Sequence, residues 1–380
     1  MVSYIMVTFL IAISLNVSNM PGKNMYILIL GLLVLTKIDA QNKQTDQITK
    51  EQSELIKEQL EAFPEKAQLA VAIIDNGSVN YYGVLRKQDE VQVVVNRDSV
   101  FEIGSITKVF TATLLADFVV NGKVDLDDTI NGYLGFTLKD DVQITFKQLA
   151  THTSGLPRLP KSLSSPTLDL TNPYKTFDRE RLKEDLSVHL KMSSTPGTKS
   201  EYSNLGVGLL GFVLGEMEGA SYGELVTGKI FDRFQMTHTT TNRSTVKDKL
   251  VKGLNDDGEE VSQWDLAILM GAGGVVSTTA DLAKFALAQF DEANASLALT
   301  RKPHYKATES FSTGLAWGIV KQDADAVWYW HNGGTGGYSA SMIIDVENKN
   351  GVIVLSNISA LGKLTKKVMD LSPELMKTLE

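Results

Sequence analysis

The sequence predicts an α/β sandwich of the α+β type, in which an antiparallel sheet built from both chain ends is flanked by helices. Three observations lead to this fold class. Strand-like segments occur near residues 69–85 and again near 327–356. Short turns rich in Asn and Gly join neighbouring strands, and such tight connections imply antiparallel pairing. Helical periodicity dominates the middle of the chain, which predicts a mainly helical insertion at about 112–290.

The N-terminal half of the predicted sheet follows a short amphipathic helix. Apolar residues recur at helical spacing over residues 52–63. Residues 69–74 are continuously apolar and predict a buried strand, and residues 79–85 predict its return. The turn between them contains Asn76-Gly77, a pair that tolerates the positive φ of tight hairpins. This segment therefore predicts one hairpin.

The C-terminal half of the sheet is predicted from three further strands. They cover residues 327–330, 339–346 and 352–356, with a polar turn between the last two. A final helix is expected over residues 364–379. The stretch 157–173, rich in Pro, Ser, Leu and Thr, is expected to form a long surface loop.

Composition limits the possible functions of this chain. The 380 residues are 43% hydrophobic and 22% charged, with a formal net charge of −8. An acidic chain without a basic block is not expected to bind nucleic acid. The chain has no cysteine, and its five histidines do not form an HExxH pair. We therefore expect no metal, no other cofactor and no thiol chemistry.

The first 40 residues are interpreted as a targeting segment rather than as part of the fold. Lys23 precedes a short apolar run at residues 25–35, as in a secretory signal, and cleavage is expected before Gln41. The true start is then Met20 or Met25, and residues 41–380 form the mature domain. We expect an exported protein, either periplasmic or secreted. An uncleaved membrane anchor is the alternative, although the run is short for a full span.

The first motif with chemical potential is Ser105-Ile106-Thr107-Lys108. Apolar residues at helical spacing follow it, and Asn121-Gly122 is a pair suited to ending a helix. Ser105 is therefore expected at the N-terminus of a buried helix, with Lys108 one turn later on the same face. An ammonium near a hydroxyl at the positive end of a helix favours a lowered pKa of Lys108 and a stabilised serine alkoxide. This arrangement suits an activated nucleophile.

Two similar patterns elsewhere are interpreted as structural. Ser-x-x-Lys occurs again at Ser244 and Lys247, in a polar segment that lacks an apolar helix and is expected to be a solvated turn. Residues 219–223 match G-x-S-x-G, but a predicted helix rather than a strand precedes them. Ser221 and Glu224 instead form a capping-box pattern, so a turn between helices is expected.

A second motif, Tyr202-Ser203-Asn204, precedes a predicted helix at residues 205–217. Near Lys108, the tyrosine pKa would be pulled down so that the phenolate acts as general base. The Asn204 amide would orient a substrate carbonyl and Lys108. The alternative is that Asn204 caps the helix while Tyr202 packs in the core.

A third motif, at residues 331–337, follows the aromatic strand and contains four glycines. Glycines in a strand allow close approach of another backbone, here that of a substrate. The Gly334 N–H would pair with the Ser105 N–H to hold a tetrahedral oxyanion. His331 would supply a local positive potential. The alternative is a glycine-rich bulge with a structural histidine.

In this order the three motifs resemble those of the serine β-lactamase and penicillin-binding family, in the branch of class C β-lactamases and D-alanyl-D-alanine carboxypeptidases and esterases. The resemblance spans roughly residues 50–360 and includes the runs 151–157 and 271–279. The matching positions are Ser105, Lys108, Tyr202, Asn204, His331, Gly333 and Gly334. The resemblance implies that Ser105 is acylated, that Lys108 and Tyr202 form the base machinery, and that the other positions bind substrate or the oxyanion.

The third motif departs from the Lys-Thr-Gly that class C β-lactamases usually carry, because this chain has His331-Asn332-Gly333. Histidine is only partly charged at neutral pH, so carboxylate binding is expected to be weaker or pH-dependent. The expected substrate is a β-lactam, a D-Ala-D-Ala peptide or an ester, and the protein is expected to be a monomer. The alternatives to an amide hydrolase are an esterase and a non-catalytic cell-wall ligand-binding protein.

Overall fold

The sheet predicted from the two chain ends is present in the computed structural model, which describes residues 48–164, 168–322 and 326–379. Its strands are β1 Gln68–Asp75, β2 Ser78–Lys87, β3 Glu90–Val94, β4 Phe101–Glu102, β5 Val276–Ser277, β6 Tyr305–Lys306, β7 Phe311–Thr313, β8 Gly318–Lys321, β9 Val327–Gly334, β10 Ser339–Asp345 and β11 Asn350–Ser356. Within the described residues the main sheet has the order β3-β2-β1-β11-β10-β9-β8-β7-β6, and β4 pairs with β5 separately. Each neighbouring pair is antiparallel, as predicted.

The helices cover the sheet and fill the middle of the chain. They are α1 Lys50–Glu61, α2 Thr107–Val120, α3 Phe146–Ala150, α4 Arg179–Glu184, α5 Asn204–Glu218, α6 Tyr222–Val226, α7 Thr279–Gln289, α8 Ala295–Arg301 and α9 Thr365–Lys377. The helix α1 begins with a capping box between Thr49 and Gln52. The helix α5 ends at Gly219, whose φ of +63° suits a left-handed cap. Ser221 and Glu224 form the expected capping box of α6, which confirms the turn between helices.

Alternate side chains of β1 enter two different apolar clusters. Ala70, Ala72 and Ile74 join the larger cluster, which includes the helices of the inserted region. Leu69, Val71 and Ile73 join a second cluster with residues of α1 and α9. Side chains alternate between the two faces of a strand, and both faces of β1 are buried. Each residue of the strand interior is therefore apolar, as the sequence shows. Each such buried side chain contributes about 1.5–3 kcal/mol through removal from water.

The structure differs from the sequence-based predictions in three places. The strands β3, β6, β7 and β8 were not predicted and extend the sheet at both edges. The aromatic strand β9 continues through the third motif to Gly334. The predicted loop at 157–173 is partly folded inward, since it contains a helical turn at Lys161–Ser164 and Leu163 is buried.

The targeting segment predicted at residues 1–40 lies outside the described residues. Among the described residues, no helix is long and apolar enough to cross a membrane.

Candidate active site

Ser105 lies in a single 3₁₀ turn, Gly104–Ile106, that runs directly into α2. Gly104 has a φ of +48°, in the left-handed region that glycine adopts without strain. A Cβ at this position would also overlap the backbone nitrogen of Gly334. The turn therefore depends on glycine for its conformation and for its close approach to the end of β9.

Lys108 is fully buried in α2 and its Nζ contacts three groups. Nζ lies 3.0 Å from Ser105 Oγ, 2.8 Å from Asn204 Oδ1 and 2.6 Å from the carbonyl oxygen of Ala272. Burial lowers the pKa of Lys108 well below its usual value, and the Arg158 charge lowers this pKa further. Desolvation thus favours the neutral amine. The direction of this shift agrees with the prediction, but its main cause is burial rather than the helix terminus.

The three neighbours of Nζ determine which of them would face the lone pair of a neutral Lys108. A neutral amine has two N–H donors and one lone pair. The Asn204 amide oxygen and the Ala272 carbonyl can only accept, so they take the two donors. The lone pair is left for the third neighbour, the Ser105 hydroxyl. When Lys108 is neutral, the Ser105 hydroxyl donates its hydrogen bond to the Nζ lone pair.

Tyr202 and Asn204 flank the residue that caps α5. The cap is Ser203, whose Oγ accepts from the Gly206 N–H at 2.9 Å, so Asn204 is not the N-cap. The side chain of Asn204 is free of that role and donates through Nδ2 to the Tyr174 hydroxyl at 3.3 Å. This bond, together with the Lys108 contact, orients the Asn204 amide.

The Tyr202 ring lies 4.9 Å from Lys108 Nζ, and its phenol contacts the Ser105 hydroxyl. Burial raises the pKa of Tyr202 to about 12, although the Ser105 contact and the Arg158 charge oppose this rise. The expectation that the pKa of Tyr202 would be lowered is therefore wrong. The phenol keeps its proton at neutral pH and is able to donate it.

The two glycines of the third motif lie against the nucleophile turn. A Cβ on Gly333 would overlap the carbonyl oxygen of Ile103 and lie 3.1 Å from the backbone nitrogen of Ser105. A Cβ on Gly334 would overlap the side chain of Ala360. The backbone that lies against these glycines is that of the nucleophile turn, since Gly333 lies against Ile103 and Ser105 and Gly334 lies against Gly104. The approach of a substrate backbone to this strand stays a prediction.

His331 is buried beside this contact, and its ring centroid is 6.4 Å from that of Tyr202. Its Nδ1 lies 2.6 Å from the Asn332 carbonyl oxygen, so Nδ1 carries the proton and Nε2 is an acceptor. Burial, with the Lys108 charge, lowers the pKa of His331 to about 3. The expected positive potential is therefore absent, because His331 is neutral across the physiological pH range.

Two residues that the sequence interpretation did not assign also contact Tyr202. The His152 ring centroid is 4.5 Å from the Tyr202 ring, and its Nδ1 accepts from the Ser203 N–H at 3.2 Å. The Arg158 guanidinium lies 5.1 Å from the centroid of the same ring. His152 belongs to the run 151–157 that carried part of the resemblance, but no local pattern distinguished its side chain.

The site opens into a cavity of about 490 Å³ lined by Tyr202, His331, His152, Arg158, Trp317 and Trp330 among others. No group of His, Asp or Glu side chains with the geometry of a metal site occurs in the part of the chain that the structure describes.

The fold and this constellation together define a class of protein, the β-lactamase and transpeptidase fold. Two solved structures have this architecture. A β-lactamase/D-alanine carboxypeptidase from Pseudomonas syringae superposes with a TM-score of 0.72 at 20% identity, over 87% of this chain and 99% of that one. A class C β-lactamase from Rhodobacter sphaeroides has the same TM-score, identity and coverage.

The chain belongs to the β-lactamase family, whose family model matches residues 56–367. A β-lactamase of Pseudomonas fluorescens is 30% identical over 253 residues, which are 65% of this chain and 65% of that protein. β-Lactamase-like protein 4 of Dictyostelium discoideum is 32% identical over 246 residues, which are 59% of this chain and 41% of that protein. The matches thus span less than two thirds of these relatives' lengths.

Proposed function

We propose that the protein is a serine hydrolase that forms an acyl-enzyme on Ser105 and cleaves the amide bonds of β-lactams or D-Ala-D-Ala-type peptides. The observation that carries this proposal is the set of contacts of Lys108. Two pure acceptors occupy its N–H groups, and its remaining position faces Ser105 Oγ at 3.0 Å. A buried amine in this arrangement is a general base for a serine hydroxyl.

Acylation begins with transfer of the Ser105 proton to Lys108 Nζ as Oγ attacks the substrate carbonyl. The backbone N–H groups of Ser105 and Gly334 stabilise the resulting oxyanion. The Tyr202 phenol donates its proton to the departing nitrogen, and the Lys108 ammonium restores that proton. Water then attacks the acyl-enzyme by the reverse sequence, which regenerates Ser105. In this division of roles Lys108 is the base in the resting protein, and Tyr202 is the acid.

An esterase on the same scaffold is the second candidate, and the neutrality of His331 favours it. A residue without charge at this position provides no cation for the carboxylate that β-lactams and peptides carry. Esters need no such cation, and their leaving oxygen departs more readily than an amide nitrogen.

Three substrates assayed side by side test both candidates. Purified protein is given nitrocefin, a D-Ala-D-Ala peptide and a p-nitrophenyl ester, with Ser105→Ala as the blank. Turnover of either amide that is lost in the variant supports the main proposal. Turnover of the ester alone supports the esterase. No Ser105-dependent turnover, together with no labelling by fluorescent penicillin or a fluorophosphonate, would leave a non-catalytic ligand-binding role.

We further infer export of a mature chain that starts at Gln41, from the charge and apolar run at residues 23–35. Mass spectrometry of the protein from its native cells checks this inference. An N-terminus at Gln41 supports it, and an intact Met1 contradicts it.

A further inference from the structure

His152 holds the chain on both sides of Tyr202. Its carbonyl oxygen accepts a hydrogen bond from the Glu201 N–H at 2.8 Å, and its ring Nδ1 accepts from the Ser203 N–H at 3.2 Å. Glu201 and Ser203 are the residues directly before and after Tyr202. One residue therefore fixes the backbone that carries the phenol, through its main chain on one side and its side chain on the other.

The His152 ring also packs against the tyrosine side chain. The two ring centroids are 4.5 Å apart, and the ring planes are inclined by 37°. The Tyr202 ring turns about two side-chain bonds, so the backbone at 202 and the groups packed against the ring determine where its phenol lies. That phenol contacts the Ser105 hydroxyl. His152 thus constrains both the backbone and the ring of the residue that acts as acid in the proposed reaction.

The protonation state of His152 suits its bond to Ser203. Nδ1 accepts from an N–H only when the ring proton is on Nε2. Burial, together with the Lys108 charge, lowers the pKa of His152 well below its usual value, so the ring is neutral at pH 7. Nε2 is buried and has no hydrogen-bond partner among the described residues. A half-paired buried imidazole is costly, so packing alone does not account for a histidine here.

The backbone of His152 has a left-handed conformation, with a φ of +60°. Residues other than glycine adopt this conformation infrequently, and strained positions of this kind concentrate at functional sites. In this conformation the carbonyl oxygen and the imidazole of His152 both face the segment 201–203. The strain is thus associated with the double contact around Tyr202.

The start of α5 is held by other residues. Ser203 Oγ donates to the Pro157 carbonyl oxygen at 2.7 Å, and the Asn204 N–H donates to the Arg158 carbonyl oxygen at 3.0 Å. Neither bond involves His152. A change at His152 is therefore expected to loosen the tyrosine while the asparagine keeps its place beside the buried lysine.

We propose that His152 is a positioning residue for the general acid of the reaction, and that it fixes the Tyr202 phenol where the departing atom takes up its proton. His152 itself neither gains nor loses a proton. When the C–N or C–O bond breaks, its electron pair stays on the departing atom, which is then protonated by Tyr202. The inference rests on the proposed function, because it assigns a role within that reaction.

The basicity of the leaving group tests this role. His152→Gly accepts the left-handed backbone and lacks both the ring and the Nδ1 acceptor. Its kcat/KM, which reports acylation, is compared with that of the unmodified protein on p-nitrophenyl, phenyl and benzyl esters of one acyl group. Because a more basic leaving oxygen depends more on the acid, the loss should grow from about threefold or less to roughly 10–100-fold along this series. An equal loss on all three esters would overturn the proposal.

Two further variants control for the change of residue. His152→Asn keeps an acceptor near the Ser203 N–H and tolerates a positive φ, but it lacks the ring. Its loss should follow the same trend and be smaller than that of His152→Gly. Gln235 is exposed, lies outside the site and has a φ of +56°. Gln235→Gly should therefore show no dependence on the leaving group.

Circular dichroism checks that each variant is folded. If His152→Gly is unfolded, His152→Asn takes its place, and a loss that stays constant along the ester series would contradict the proposal.

Removal of the acid itself gives a second check. In a Tyr202→Phe background, the further change His152→Gly should lower kcat/KM on the benzyl ester by less than about threefold, because no acid remains to be positioned. The full loss in that background would show that His152 acts through another group, which would overturn the proposal.

Fluorophosphonate labelling separates this inference from the proposed function. Fluoride is a weakly basic leaving group, so the rate of Ser105 labelling should fall far less in His152→Gly than the rate of benzyl ester hydrolysis. If the unmodified protein is not labelled, the proposed function is wrong. If it is labelled and the losses of His152→Gly on the three esters are equal, only the positioning role is wrong.

Discussion

Two segments of this chain have the same Ser-x-x-Lys spacing and opposite environments. At the first, Lys108 is fully buried and its Nζ lies 3.0 Å from Ser105 Oγ. At the second, Ser244 and Lys247 are both exposed, and Ser244 Oγ donates to Asn242 Oδ1 at 2.7 Å. Spacing alone thus places two side chains on one face, while burial and acceptors determine whether they form an acid–base pair.

The difference arises from the segment on the C-terminal side of each motif. The helix α2 is buried along most of its length, which carries Lys108 into the core. The second motif overlaps a short helical turn, Arg243–Thr245, and exposed polar residues come after it. A lysine in the core loses hydration and its pKa falls, whereas a solvated lysine keeps its charge.

The largest expected difference between the two segments is in catalysis by their serines. Ser105→Ala should lower kcat on the best substrate on the order of 10⁴-fold or more, as loss of a nucleophile does. Ser244→Ala should change kcat less than about twofold, because its hydroxyl serves a surface turn. Steady-state hydrolysis measures both, and equal losses in the two variants would remove the distinction.

Replacing the lysine of each segment should also affect kcat unequally, but by a smaller factor than replacing the serine. Lys108→Met should lower kcat about 10²–10⁴-fold, the range for loss of a general base. Lys247→Met is the matched control and should retain full rate. Circular dichroism must show that both variants are folded; a Lys108→Met protein with normal rate would contradict the assignment of the base.

The segment around Ser244 should contribute to the free energy of unfolding through Arg243, the residue that precedes the serine. Arg243 Nε donates to the buried Glu102 carboxylate at 3.1 Å, and burial raises the pKa of Glu102. Arg243→Ala removes the counter-charge of that carboxylate, which then keeps the Trp264 N–H as a donor, and should lower the free energy of unfolding by about 3–5 kcal/mol at pH 7. Urea unfolding measures this change.

The loss in Arg243→Ala should shrink as pH falls from 7 to 5. A raised native pKa means that Glu102 binds its proton more readily in the folded state, so protonation relieves the penalty. Lys247→Ala should change stability by less than about 0.5 kcal/mol at either pH. A loss that is independent of pH would indicate a cause other than the buried carboxylate.

The smallest expected effect concerns how stability depends on pH. Since the pKa of Lys108 is lowered on folding, the unfolded state binds more protons between the folded and unfolded pKa values. The stability of the unmodified protein relative to Lys108→Met should therefore rise with pH in that window, by up to about 1.4 kcal/mol per pH unit. Lys247→Met should show no such trend. A constant difference from pH 7 to 9 would mean that Lys108 stays charged in the fold.

Much of the fold was predictable because its strands have local signals. The hairpin of β1 and β2 has an apolar run and an Asn-Gly turn, and β10 and β11 have a polar turn between them. The strands β6 to β8 have two to four residues each and no clear alternation. Their extended form depends on pairing in series, β8 with β9, β7 with β8 and β6 with β7, which the sequence does not reveal locally.

The positions of the site were predictable, but its charges were not. Order along the chain identified the three motifs that the fold brings together. The pKa directions of Tyr202 and His331 depend on burial among residues that are distant in sequence. Arg158 and His152 were recognised as parts of the site only from their contacts with the Tyr202 ring in the structure.

The most direct test of Ser105 as the nucleophile is the site of covalent modification. The protein is treated with a fluorophosphonate, digested, and mapped by tandem mass spectrometry. We expect one adduct, on Ser105, which is absent after Ser105→Ala and reduced after Lys108→Met. An adduct on Ser244 or another serine, or labelling that survives Ser105→Ala, would contradict this assignment.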